Sequence, residues 1–120
     1  MSVRSYDALT PTRFLDRAAQ VFRTRVAVSD GQTRLTFGEL ADRIDALTGL
    51  LAARNIAPGD RVAVLSSNSR VMIEAHNAIP LRGAVMVPLN TRLSSTELNY
   101  VIEHSGASLI LASEEHLEAA

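Results

Sequence analysis

The amino-acid sequence predicts an α/β fold: an N-terminal helix and a β-hairpin followed by a βαβαβα parallel-sheet layer. Three observations carry this. Short apolar runs begin at Arg61, Ala84 and Ser108, roughly 20–25 residues apart. The segments between them repeat their apolar residues at helical spacing. Residue types that cap helices precede each of those segments. Strand, helix, strand, helix, strand at this interval is the rhythm of a parallel sheet joined by right-handed crossovers. With 120 residues the chain is sized for one domain, and no change in composition marks a boundary within it.

The first helix is expected to open at Thr10-Pro11, with Thr10 as N-cap and Pro11 at the first helical position, where its missing N–H costs nothing. Phe14, Leu15, Ala18, Val21 and Phe22 recur as one helical face. Val26-Ala27-Val28 and Thr33-Arg34-Leu35 flank Ser29-Asp30-Gly31-Gln32, a short hairpin around an Asp-Gly turn. Thr36 and Glu39 then form a T-x-x-E capping box, with Leu35 and Leu40 placed as its hydrophobic staple. Leu40, Ile44, Leu47 and Leu51 continue one stripe until Asn55 and Pro58-Gly59 turn the chain.

Arg61-Val62-Ala63-Val64-Leu65 is nearly continuous in apolar residues, as a strand covered on both faces requires. Ser66-Ser67-Asn68-Ser69 supplies capping side chains for a helix carrying Val71, Met72, Ala75 and Ile79, and Pro80 ends or kinks it. Ala84-Val85-Met86-Val87 is expected to be a second buried strand. Ser94 and Glu97 repeat the capping box between Leu93 and Leu98. Leu98, Val101 and Ile102 then form an inward face, and Gly106 is a natural C-cap. Ser108-Leu109-Ile110-Leu111 is the third strand, and Ser113 is expected to cap a last helix over residues 114–120.

Composition excludes several classes of function. The net charge of −1 gives no general attraction to nucleic acid or an anionic membrane. No stretch approaches the ~18 apolar residues of a membrane span. MSVRSYDAL lacks the apolar run of a signal peptide, so the cytoplasm is the expected compartment. Cysteine is absent, which removes disulfides, thiolate nucleophiles and cysteine-based zinc sites. Lysine is absent too, all twelve basic residues being arginine, so no Walker-type phosphate loop, Schiff base or catalytic ammonium can arise here.

The remaining chemical candidates are few. Parallel sheets place ligands at the carboxyl ends of their strands, here Ser66-Ser67-Asn68-Ser69, Pro88-Leu89-Asn90 and Ala112-Ser113. The first loop could offer hydroxyls and helix N–H groups to an anion, although helix capping alone accounts for those residue types. The six glycines form no phosphate-binding fingerprint. His76, His104 and His116 have no ligand partner at helical spacing. His76 is placed to face a neighbouring layer or a cleft, His104 suits a helix C-terminus, and His116 is expected in solvent. Asp42 with Asp45, and Glu114, Glu115 and Glu118, read as solvated helix faces rather than acid–base pairs. No G-x-S-x-G elbow follows a strand.

The order of the motifs is more informative than any one of them. Leu35-Thr36-Phe37-Gly38-Glu39-Leu40 comes first, then Gly59-Asp60-Arg61-Val62-Ala63-Val64-Leu65 with Asn68-Ser69, then Gly83-Ala84-Val85-Met86-Val87-Pro88-Leu89-Asn90. The series resembles the adenylate-forming superfamily, which includes acyl-CoA synthetases, adenylation domains of peptide synthetases and firefly luciferase. The segment Glu97–Ala107 extends the resemblance in register, so that it covers roughly residues 10–112. Glu74-Ala75-His76 and Asn90-Thr91-Arg92-Leu93 look most like acyl-CoA ligases.

The resemblance implies a parent enzyme that activates a carboxylate with ATP and Mg²⁺ to an acyl-adenylate, releases pyrophosphate, and transfers the acyl group to coenzyme A. It implies that residues 1–120 are an incomplete N-terminal subdomain, part of the large N-terminal domain of such an enzyme. The phosphate loop, adenine and metal motif, ribose-binding aspartate and mobile lysine of the family would all lie downstream. No catalytic, cofactor-binding or metal-binding residue is therefore assigned in this chain. The chain alone is expected to be inactive and to bind no cofactor, the acid of the parent being fatty or otherwise apolar. The alternative is a free-standing, non-enzymatic interaction module derived from that domain, self-associating through uncovered sheet surface. A third reading is a flavodoxin-like nucleotide binder with Ser67, Asn68 and Ser69 at the phosphate.

Overall fold

A computed structural model describes residues 9–120. Residues 1–8, most of the stretch on which the argument against a signal peptide rests, lie outside the described residues. The elements are α1 (Pro11–Val21), β1 (Val26–Asp30), β2 (Thr33–Thr36), α2 (Phe37–Ala53), β3 (Arg61–Leu65), α3 (Arg70–Leu81), β4 (Val85–Pro88), α4 (Ser95–Ser105) and β5 (Leu109–Ala112). β1 and β2 pair antiparallel, while β3 pairs in parallel with β4 on one side and β5 on the other, giving the order β4-β3-β5. The expected α/β layer is thus present.

β3 is the centre of everything. Val62 to Leu65 are at most 1% exposed, and their side chains alternate between two cores. Val62 and Val64 join Ile44, Leu51, Ala75 and Ile79 from α2 and α3 on one face. Ala63 and Leu65 join Leu98, Val101 and Ile102 from α4 on the other. The chain runs from β3 to β4 through α3, then back across β3 to β5 through α4. Reversing direction forces the two helices onto opposite faces when both crossovers are right-handed. β3 and β5 therefore flank a topological switch point.

Local signals set the helix boundaries. At α2 the Glu39 N–H donates to Thr36 Oγ1 (3.2 Å) and the Thr36 N–H donates to Glu39 Oε2 (3.0 Å). The box recurs at α4, where the Ser94 N–H donates to Glu97 Oε2 at 2.8 Å. That bond and the Ser94 hydroxyl hold the Glu97 carboxyl below its usual range. Gly106 ends α4 in the left-handed region, φ +68°, as a C-cap glycine should.

Four expectations are corrected. β4 is not buried on both faces like β3: it is an edge strand, with Val85 half exposed. In α1 only Leu15, Ala18 and Ala19 turn toward α2 and α3, while Phe14, Val21 and Phe22 are exposed, because the helix meets its neighbours along a narrow line. Thr10 is the N-cap of α1 by backbone conformation, but its hydroxyl caps no backbone amide. The expected last helix is a single 3₁₀ turn at Glu114–His116, held by i→i+3 bonds such as His116 N–H to the Ser113 carbonyl, 2.9 Å. Ser113 caps no amide there, since its hydroxyl is hydrogen-bonded to the His116 ring. Among the described residues, no helix is long and apolar enough to cross a membrane.

Candidate functional site

The carboxyl ends of β3 and β5 open beside the hairpin, and here the structure brings together residues far apart in sequence. Ser69 precedes α3 in extended conformation, yet neither it nor its neighbours caps that helix with a side chain. The cap comes from the hairpin: Asp30 Oδ2 accepts the N–H of Arg70 at 3.0 Å. The Ser66 hydroxyl is turned inward to the Ser67 carbonyl (2.8 Å) and the Ser69 hydroxyl (3.0 Å). The expected capping role of Ser66-Ser67-Asn68-Ser69 is thus taken by a carboxylate, whose charge suits a helix N-terminus. An Asp30 carboxylate already seated on that terminus also works against a phosphate there.

Two concavities meet at Asp30, Ser69 and Arg70. A groove of about 520 Å³ runs between the hairpin and α3, with Val28, Met72 and Ile73 as apolar wall and Asn68, His76 and Asn77 as polar rim. A crevice of about 420 Å³ lies across the switch point, bounded by Ser113, Glu114 and Glu115. The Ser67 hydroxyl donates to Glu115 and so ties the β3 loop to the turn after β5.

His76 does face a concavity, as its place in α3 suggests. Its Nδ1 donates to the Met72 carbonyl at 2.7 Å, which ties the ring back to its own helix. His116 is not free in solvent: Nδ1 lies 2.9 Å from Ser113 Oγ and 3.4 Å from Glu115 Oε1. These three residues do not make a relay, because serine and acid meet the same ring nitrogen, whereas a catalytic serine and its orienting acid need opposite ones. His104 stacks on Tyr100 along α4, ring centroids 5.6 Å apart. Asn90 Oδ1 accepts its own turn's Arg92 N–H at 3.0 Å, and Leu89 is buried, so Pro88-Leu89-Asn90 is structural.

The carboxylate pairs separate. Asp42 lies 3.6 Å from Arg23 with both side chains exposed, a contact worth little, while Asp45 borders a groove between α1 and α2. Among the described residues no group of three or more His, Asp or Glu side chains could hold a metal ion. Two arrangements escaped the sequence. One is the Asp30 cap. The other is Glu74, buried between α2 and α3, whose carboxylate receives Arg43 Nε at 2.5 Å and a second guanidinium nitrogen at 3.4 Å. That hydrogen bond raises the Arg43 pKa, keeping the guanidinium charged. The available signal was spacing: Glu74 stands four residues before Ala78, on the face that α3 buries.

Comparison with known proteins places these features. Residues 15–120 match the family described as AMP-binding enzyme. The chain is 40% identical over 111 residues to the peroxisomal acetate/butyrate–CoA ligase AAE7 of Arabidopsis thaliana, covering 92% of this chain and 20% of that protein. It superposes on the N-terminal domain of FACL13 from Mycobacterium tuberculosis with a TM-score of 0.84 at 27% identity, over 90% of this chain and 28% of that one. O-succinylbenzoate coenzyme A synthetase from Bacillus subtilis gives a TM-score of 0.79 at 32% identity, over 85% of this chain and 22% of that one. The chain spans about a fifth of the length of the curated relatives it matches.

Proposed function

This chain belongs to the AMP-binding enzyme family, and from that premise we propose that it is part of the N-terminal domain of an AMP-forming carboxylate–CoA ligase. The parent would convert a carboxylate, ATP and coenzyme A to an acyl-CoA, AMP and pyrophosphate. The observation that carries this reading is the 40% identity to an acetate/butyrate–CoA ligase across 92% of the chain but 20% of the relative. A fatty or otherwise apolar acid suits the parent, since other relatives bear the names of benzoate–CoA ligase and feruloyl-CoA synthase.

In this reading residues 9–120 build a layer rather than an active site. The donor set does not fit ATP or Mg²⁺: lysine is absent, and the polar groups at the strand ends are spent on one another. Adenylation depends on positioning and on charge stabilisation at the transferring phosphoryl groups, and those groups belong to the rest of the parent. The 120-residue chain is expected not to exchange labelled pyrophosphate into ATP with any carboxylate. Exchange above background by the pure chain would overturn the reading.

A second reading, an interaction module derived from this domain, draws on one observation: Phe14 and Val21 of α1 are each at least 60% exposed. A module of that kind would hold one stoichiometry at all concentrations in size exclusion, where a detached layer would exchange or aggregate.

A further inference from the structure

Charge is not spread evenly along this chain. Residues 9–25 hold four arginines and one acid, a net +3, whereas residues 26–120 hold seven arginines and eleven acids, a net −4. The overall −1 therefore conceals a basic end. Arg13, Arg17, Arg23 and Arg25 are all exposed. The one acid, Asp16, borders the groove between α1 and α2 and accepts a hydrogen bond from Gln20 at 3.3 Å.

The outer face of α1 is apolar. At about 100° per residue, Val21 returns to within about 20° of Phe14, two turns earlier, and Asp16 falls on the opposite side of the helix. Phe14, Val21 and the C-cap residue Phe22 are exposed. Arg17 stands about 60° from Phe14, at the margin of this stripe. The Arg25 guanidinium lies over the Phe22 ring, 5.0 Å from its centroid. An apolar aromatic stripe with arginine along its margin is the pattern of a helix lying in the plane of a bilayer surface. The aromatic rings enter the acyl boundary and the guanidinium groups meet the phosphates. With 11 residues α1 is about 16 Å long, which suits lying flat and is far too short to span.

We propose that the outer face of α1 docks the protein on an anionic membrane surface, with Phe14, Val21 and Phe22 entering the interface and the four arginines meeting lipid phosphates. This goes beyond the ligase reading and does not depend on it. Charge complementarity selects the occupant. A second copy of the chain would set the same basic margin against itself, because a symmetric contact pairs a patch with its own kind. An anionic bilayer neutralises that margin and takes up the apolar stripe in one contact.

The test is flotation of the 120-residue chain with two kinds of vesicle, pure phosphatidylcholine and an equal mixture of phosphatidylcholine and phosphatidylglycerol. The chain should float with the mixed vesicles and not with the neutral ones, and added salt should release it. Phe14→Gln and Arg17→Glu should each lower the partition coefficient by about tenfold. Both positions are exposed, so neither change touches the inward face of α1. Tyr100→Gln, at an exposed aromatic on α4 across the sheet, should leave flotation unchanged.

No flotation with the anionic vesicles, or flotation that Phe14→Gln and Arg17→Glu leave intact, would overturn the proposal. Binding that is lost in a full-length chimera, where residues 1–120 replace the matching segment of the acetate/butyrate–CoA ligase, would overturn it too, since the rest of the parent would then cover the stripe. Self-association that Phe14→Gln abolishes, without vesicle binding, would make the stripe a contact between copies instead.

Discussion

Leu51→Ala should lower the unfolding free energy of the chain by about 3 kcal/mol, within the range for deleting a fully buried leucine. Leu51 sits on the inward face of α2 with 0% exposure, in one cluster with Ile44, Ile56, Ala78 and Ile79. It lies near the end of the helix, and its carbonyl accepts the Ile56 N–H at 3.0 Å, so the backbone around it is tied and cannot collapse into the gap. Transfer and cavity costs therefore add. The neighbouring Leu50 is 45% exposed, and Leu50→Ala should cost less than about 1 kcal/mol. Urea unfolding of both variants is the measurement. Equal losses at the two positions would mean that α2 does not bury the face described.

Arg43→Ala should cost a comparable amount, about 3 kcal/mol, by a different route. Glu74 is held between α2 and α3 and Arg43 supplies its fork of donors. Removing the arginine leaves a carboxylate with little solvent and no counter-charge. Because Arg43 itself is 44% exposed, water enters more readily than in a sealed core, which sets the cost at the low end of the range for broken buried pairs. Glu74→Gln added to Arg43→Ala should recover part of the loss, since a buried amide is less costly than a buried charge. Urea titration of the single and double variants would show this. A double variant no more stable than Arg43→Ala alone would mean that the pair contributes packing and not charge.

Both effects lie where the sequence was unevenly legible. The capping boxes at Thr36 and Ser94 could be read because both partners lie three residues apart, and such contacts depend on nothing distant. The stripe of Leu40, Ile44 and Leu51 was readable for the same reason. β3 and β4 show the limit: both are short apolar runs, yet one is the centre of the sheet and the other its edge. Nothing within a strand says how many neighbours it will have. The Asp30 cap failed for distance, being 40 residues from the amide it serves. Phe14, Val21 and Phe22 failed for a related reason, since a face can be apolar without finding a cover among these residues.

The strand-end loops illustrate what a motif alone leaves out. Ser66, Ser67 and Ser69 have the composition of a phosphate loop and of a helix cap. Their hydroxyls instead bond to one another, to a backbone carbonyl and to Glu115. What identified the chain was the order of its motifs along the whole length, a property that survives when each motif has an ordinary local role.

We read this 120-residue chain as one layer of a longer ligase. The intact mass of the protein in extract from its native cells, detected with antibody raised against these residues, tests that most directly. The expected species is about five times heavier than 13.0 kDa, matching the fifth of its relatives that the chain spans. A dominant species at 13.0 kDa would contradict it.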